Sequence, residues 1–182
     1  AGTTPMHRRV DAYQAMLCFS QLINERFQNV VTPSTVWTTG HVKVEPDAHS
    51  IVPGKCTFSM QWRDGDKQRL DKMENIIRRT ANEVAQREGS SVEFSKMHGL
   101  DPVQMDKSLQ TKLRNAANNI CPMRWRNIQS GALHDAANVA KIMPAAMLFV
   151  PSIEGISHDF SEDTNEQDLI DGLIVLAEAT LT

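Results

Sequence analysis

No apolar run in the sequence approaches the roughly 20 residues needed to cross a bilayer. The longest, residues 145–151, has the length of a buried strand. Charge of one sign is also missing. A formal net charge of -3 over 182 residues gives no reason to expect nucleic acid or an anionic membrane as the partner. Cysteine is sparse: Cys18, Cys56 and Cys121 stand far apart and form no CxxC pair. An odd, scattered set argues against a disulfide framework and makes reduced core thiols in a cytoplasmic setting the default expectation. There are no internal repeats and no low-complexity tracts. The chain opens on Ala1 without a charged-then-apolar signal segment, so it reads as processed or as a piece of a longer polypeptide.

What remains is ordinary globular composition, 41% hydrophobic and 23% charged, enough chain for one large domain or two small ones. Val10, Tyr13, Leu17, Ile23 and Phe27 recur at helical spacing, and this helix should end before Pro33. Residues 38–45 read as a strand, with Val42 and Val44 on one face. After a Pro/Gly-marked loop, Cys56, Phe58, Met60 and Trp62 alternate with Thr57, Ser59, Gln61 and Arg63, a half-buried strand whose polar face ends in Arg63. Asp64-Gly65 turns into a helix carrying Leu70, Met73, Ile77 and Val84, which Gly89 closes. Residues 91–96 are predicted as a further strand. This order makes a two-layer α+β unit.

The pattern restarts around residues 99–102, dividing the chain into 1–102 and 103–182. Asp106 should cap a helix with Leu109, Leu113, Ala116 and Ile120 on its inner face. Residues 123–128 read as a short strand, followed by a loop over 130–134 and a helix that Pro144 terminates. Residues 145–150 are predicted as a central parallel strand, covered on both faces. Thr164 and Gln167 form a capping-box pattern for a last helix bearing Leu169, Ile170, Leu173, Ile174 and Leu181. Strand, helix, strand, helix indicates α/β.

The loops at 130–134 and 151–162 leave the C-terminal ends of consecutive predicted strands, where ligands collect in open α/β sheets. They bring His134 and His158 to one edge. Imidazole there can bind a metal, donate a hydrogen bond or act as acid or base. Glu162, Glu154 and Asp159 are candidate acceptors for the second ring nitrogen of a ligating histidine.

The segment Ala1-Gly2-Thr3-Thr4-Pro5-Met6 with Arg8, Arg9 and Asp11 resembles a lid-domain motif of the allantoate amidohydrolase, N-carbamoyl-L-amino-acid hydrolase and β-ureidopropionase family. So do Val52-Pro53-Gly54 and the strand ending Arg63-Asp64. Ser130-Gly131-Ala132-Leu133-His134-Asp135-Ala136, Phe149-Val150-Pro151-Ser152 and Gly155-Ile156-Ser157-His158 with Glu162 resemble its catalytic-domain signatures. The resemblance implies a two-domain enzyme. Residues 1–102 would be an α+β, ferredoxin-like lid and dimerisation domain lacking its first strand. Residues 103–182 would be the C-terminal part of a catalytic α/β domain holding two divalent cations, zinc or manganese.

By the same resemblance His158 is a metal ligand, and His134 polarises the scissile group and stabilises the oxyanion. Arg63 grips the substrate carboxylate, reaching the partner subunit's site in a homodimer. The substrate is a ureido or carbamoyl acid. The family's other ligands, and the glutamate that serves as general base, lie in a preceding segment. Ser50 stands where the family has a substrate-contacting Asn, and Leu133 where it has Gly, which bears on substrate choice and on backbone strain. With one metal ligand the chain alone is not expected to hydrolyse. The alternative readings are a dimerisation or interaction module, or a hydrolase of N-acyl amino acids or dipeptides.

Overall fold

In the computed structural model, which describes residues 1–181, Asp11 starts the first helix. Its carboxylate accepts the backbone N–H groups of Tyr13 at 3.0 Å and Gln14 at 3.1 Å, two donors with no partner inside the helix. The helix, α1, spans Ala12–Phe27. It buries Ala15, Met16, Phe19, Ile23 and Phe27, while Val10, Tyr13 and Leu17 lie exposed. The buried stripe is therefore displaced around the helix from the expected one, with Phe19 in place of Leu17.

Two strands follow, β1 (Val36–Glu45) and β2 (Lys55–Arg63), paired antiparallel. Cys56, Phe58, Met60 and Trp62 are half-buried and Thr57, Ser59 and Gln61 exposed, as the alternation predicts. Trp37 pairs with Trp62 and Thr39 with Met60, but beyond the irregularity Val42 pairs with Phe58 and Val44 with Cys56. Gly40 is the extra residue of a β-bulge. Odd positions before it and even positions after it share the inward face. Trp37 donates its indole N–H to Asn24 at 2.9 Å and meets Phe27 edge-on at 5.3 Å.

Asp66 caps α2 (Lys67–Arg87), accepting from Gln68 N–H at 2.8 Å. Gly89, at φ +65°, closes it. Ser90 N–H reaches Ala85 O at 2.9 Å and Gly89 N–H reaches Gln86 O at 3.4 Å, the paired bonds of a glycine-terminated helix. The helices α1 and α2 pack through Phe19, Ile23, Phe27, Met73, Ile77 and Val84, with Phe58, Met60, Trp62 and Val92 against the same core. Burial of each large apolar side chain contributes about 1.5–3 kcal/mol. The fully buried Thr80 hydroxyl accepts from Arg26 Nη1 at 2.8 Å, so its polar atom is satisfied.

These elements form one compact unit, Ala1–Pro102; Val103–Thr182 form the other. In the second, Asp106 caps α3 (Lys107–Ile120) through Leu109 N–H at 2.8 Å, as predicted. The short α4 (Ala136–Val139), a single 3-10 turn at Ile153–Gly155 and the last helix, α5 (Glu166–Leu181), follow. Asn165, not Thr164, directly precedes α5. The core joins Ala116, Ala117 and Cys121 to Val175 and Ala179. Leu169, Ile170, Leu173, Ile174 and Leu181, the apolar residues that marked this helix in the sequence, are all exposed.

Three predicted strands are not formed. Residues 91–96, 123–128 and 145–150 carry no strand pairing, and the sheet among the described residues is the hairpin β1–β2 alone. A strand is made by its neighbour's hydrogen bonds, and apolar, β-branched sequence supplies only half of that. Residues 91–101 instead follow α2: the Arg78 guanidinium lies 5.0 Å over the Phe94 ring, and Lys67 pairs with Asp101 at 2.9 Å. Residue 145 is tied through Asp106 N–H to Ala145 O at 2.8 Å. Hence the first unit is α+β with two strands, and the second is helical among the described residues, where an α/β arrangement was expected.

Candidate active site

The loop 130–134 is closed upon itself by side chains four residues apart. Ser130 Oγ lies 2.6 Å from His134 Nε2, and the same oxygen accepts Ala132 N–H at 3.3 Å. His134 O accepts Ala137 N–H at 3.0 Å, so the residue is fixed at the entry of α4. Its half-buried ring sits 5.5 Å from that of Phe149, inclined at 56°. The segment 145–150 thus reaches the histidine, although it does so without a ladder.

Leu133 is 74% exposed and is not among the residues of positive φ, so the backbone strain that would favour glycine is absent there.

His158 is exposed and adopts φ +58°, the left-handed region that is uncommon outside glycine, though less so for asparagine, aspartate and histidine. Glu162 Oε2 accepts its backbone N–H at 2.7 Å. Ile153 N–H closes the base of this loop on Asp163 O at 2.8 Å. The Asp159 carboxylate accepts from Ser161 N–H at 2.9 Å and from Ser161 Oγ at 2.7 Å, and the two Ser161 bonds hold it below the usual carboxylate range. Glu162 and Asp159 therefore hold the loop's backbone and turn, where they had been candidates for the imidazole itself. Glu154, at φ +56°, is exposed.

Arg63 and Ser50 belong to the first unit. Arg63 is half-buried and donates to Gln61 Oε1 at 3.1 Å. It stands opposite Val36, at the start of β1. Ser50 is in the β1–β2 connection, at the other end of the hairpin, where its carbonyl accepts the Ala1 amino group at 2.8 Å. The eight residue steps of β2 separate those ends by about 26–27 Å at a rise of about 3.3 Å each. One chain does not bring these two together.

A divalent-metal centre does not fit the described residues taken alone. No group of three or more His, Cys, Asp or Glu side chains among them is placed to hold an ion, and a closed or catalytic zinc site requires at least three protein ligands. The cysteines are free, and burial pushes the Cys56 thiol up, with Asp11 adding to it. No helix among the described residues is long and apolar enough to cross a membrane.

Sequence reading missed the Ser130–His134 tie and the use of Glu162 on backbone. The signal was the spacing: both pairs are four residues apart within a loop.

Comparison with known proteins agrees with the motifs. The chain is 35% identical over 176 residues to the N-carbamoyl-L-amino-acid amidohydrolase of Paenarthrobacter aurescens, covering 97% of this chain and 42% of that protein. It is 34% identical over 181 residues to the allantoate amidohydrolase of Escherichia coli (strain K12), covering 97% and 43%. Crystal structures of hydantoinase/carbamoylase-family amidases superpose closely. That from Burkholderia phymatum has a TM-score of 0.87 at 38% identity, covering 99% of this chain and 43% of that one. That from Burkholderia multivorans has 0.88 at 31%, covering 100% and 44%. The chain spans about two-fifths of the length of the curated relatives it matches. The sequence profile of Peptidase family M20/M25/M40 matches residues 2–182, and the chain belongs to that family.

Proposed function

We propose that this chain is part of a divalent-metal-dependent amidohydrolase that cleaves a linear C–N bond in a ureido or carbamoyl acid. The relatives named for N-carbamoyl amino acids and allantoate support the substrate class. The observation that carries the reading is His134, pinned by Ser130 and Phe149 with Nδ1 making no hydrogen bond among the described residues. Hydrolysis delivers hydroxyl to the carbonyl carbon and a proton to the departing nitrogen, and the carbonyl oxygen gathers negative charge on the way. A preorganised N–H of His134 stabilises that oxygen. His158 is read as one metal ligand. The described residues do not by themselves form a metal site.

Arg63 supplies the planar fork that binds a carboxylate through two hydrogen bonds. Ser50 offers a shorter donor and acceptor than Asn, which alters the substrate's fit. A ureido acid is only several ångströms long, whereas Ser50 and Arg63 of one chain stand at opposite ends of a hairpin. Both can touch one substrate only if they come from two chains, which supports a homodimer through residues 1–102 read as the lid domain. Residues 103–182 are then the catalytic portion, and a cytoplasmic location fits free cysteines.

The test is ammonia release from N-carbamoyl-L-amino acids and from allantoate, with zinc or manganese. Residues 1–182 are assayed alone and beside a polypeptide supplying the remaining ligands. Turnover should require both parts and should fall at least 100-fold in Arg63→Ala or His134→Ala, the scale of losing a transition-state donor. Turnover by the chain alone, or indifference to both substitutions, overturns the reading.

A further inference from the structure

We infer that Ser130 is a positioning residue whose hydroxyl donates to His134 Nε2 and fixes the neutral ring as the Nδ1–H tautomer. The inference deepens the proposed role of His134 and rests on it for its catalytic meaning, though not for its geometry. The hydroxyl oxygen and Nε2 are 2.6 Å apart, a direct hydrogen bond in which either atom could carry the proton. The other groups around the hydroxyl decide between them.

A serine hydroxyl has one proton and two lone pairs. One lone pair already accepts Ala132 N–H, at 3.3 Å. Accepting that bond polarises the O–H and strengthens it as a donor. If Nε2 carried the proton instead, Ser130, which is exposed, would accept twice and its own proton would be left to solvent. The arrangement that uses all three groups has Ser130 donating and Nε2 accepting. A neutral imidazole carries one N–H, so its proton then sits on Nδ1.

Orientation follows from the same contacts. The Phe149 ring, 5.5 Å away, limits how far the imidazole can turn, and the bond at Nε2 removes the flipped rotamer. The carbonyl of His134 is held by Ala137 N–H, which fixes the backbone from which the ring projects. Nδ1 is the ring nitrogen left to meet a substrate, and in this tautomer it arrives as a donor. A carbonyl oxygen acquiring negative charge needs a donor; the opposite tautomer, with Nε2–H held by serine, would present a lone pair and repel it.

The test is long-range 1H–15N NMR of the ring nitrogens in the 182-residue chain at about pH 8, above the ordinary histidine range. His134→Gln assigns the signals. Wild type should show Nδ1 protonated and Nε2 as acceptor. Ser130→Ala should shift the ring toward the Nε2–H form, and Ser130→Thr, which keeps the hydroxyl, should restore the original pattern. Circular dichroism confirms that each variant is folded. In the assembled enzyme Ser130→Ala should lower kcat about tenfold with KM nearly unchanged, as for a group acting on the transition state through His134. An Nε2–H ring in wild type, or a ring unchanged in Ser130→Ala, overturns the inference. The expected NMR pattern without any effect of His134→Gln on turnover would overturn the proposed function and leave the positioning intact.

Discussion

Asp64 Oδ1 accepts a hydrogen bond from Arg69 Nη1 at 2.8 Å, and the Asp64 side chain is only 2% exposed. It follows Arg63 directly in sequence. The same carboxylate accepts from the Thr35 hydroxyl and from Asp66 N–H, so it joins the start of β1, the end of β2 and the first turn of α2. Burial pushes its pKa up, but the bonds from Thr35, Asp66 and Arg69 and the charge of Arg69 outweigh this and leave it lowered.

A lowered folded pKa makes the stabilisation complete above the unfolded carboxylate value of about 3.9. It is lost as pH falls from there through the folded value. Urea unfolding of the first unit followed by tryptophan emission should therefore weaken on acidification. In Asp64→Asn the part of that slope belonging to this group should vanish, at a cost of about 2 kcal/mol near neutral pH. An unchanged slope would remove Asp64 from the account.

Gly40 absorbs the change of parity in β1. Its deletion should leave Trp37 and Thr39 facing inward with Val42 and Val44, and shift stability by less than about 1 kcal/mol. Inserting a second residue beside it should turn Trp37 away from Phe27 and cost about 3 kcal/mol or more. Tryptophan emission and denaturation midpoints distinguish the two.

His158 occupies left-handed backbone that costs a non-glycine residue about 1 kcal/mol. Replacing it with glycine should raise the thermal midpoint of the second unit modestly and, on the proposed ligand role, lower metal uptake in the assembled enzyme. A fall in stability would mean that the imidazole, not the backbone, holds the loop.

Local signals were legible where one residue settles the outcome. Asp106 names a helix start, Gly89 a helix end, and the Cys56 to Trp62 alternation a half-buried strand. The facing of α5 was not legible. Leu169, Ile170, Leu173, Ile174, Val175 and Leu176 surround the helix, so no stripe stands out, and the chain buries Val175 and Ala179 on α3. In α1 two apolar stripes compete, and packing on α2 chooses the one containing Phe19. The unformed strands failed for a related reason: pairing is a property of two segments, and each was read singly. At the site, His134 could be found from its loop; the four-residue spacing to Ser130 was there to be seen, but whether the hydroxyl meets the ring depends on the backbone path between them.

Gly172 in α5 meets Val150, the residue before the loop that carries His158. A Cβ built at position 172 would lie 2.6 Å from Val150 Cγ1. In an open helix, Gly172→Ala should stabilise by up to about 1 kcal/mol; here it should destabilise by about 1–3 kcal/mol, as overpacking does. Val150→Ala should relieve it, and calorimetry of the single and double variants measures the coupling. The two positions therefore share one allowance of volume. A lineage that gains a methyl at 172 must give up bulk at 150, so the two should drift as a pair, and the histidine loop inherits whichever bargain they strike.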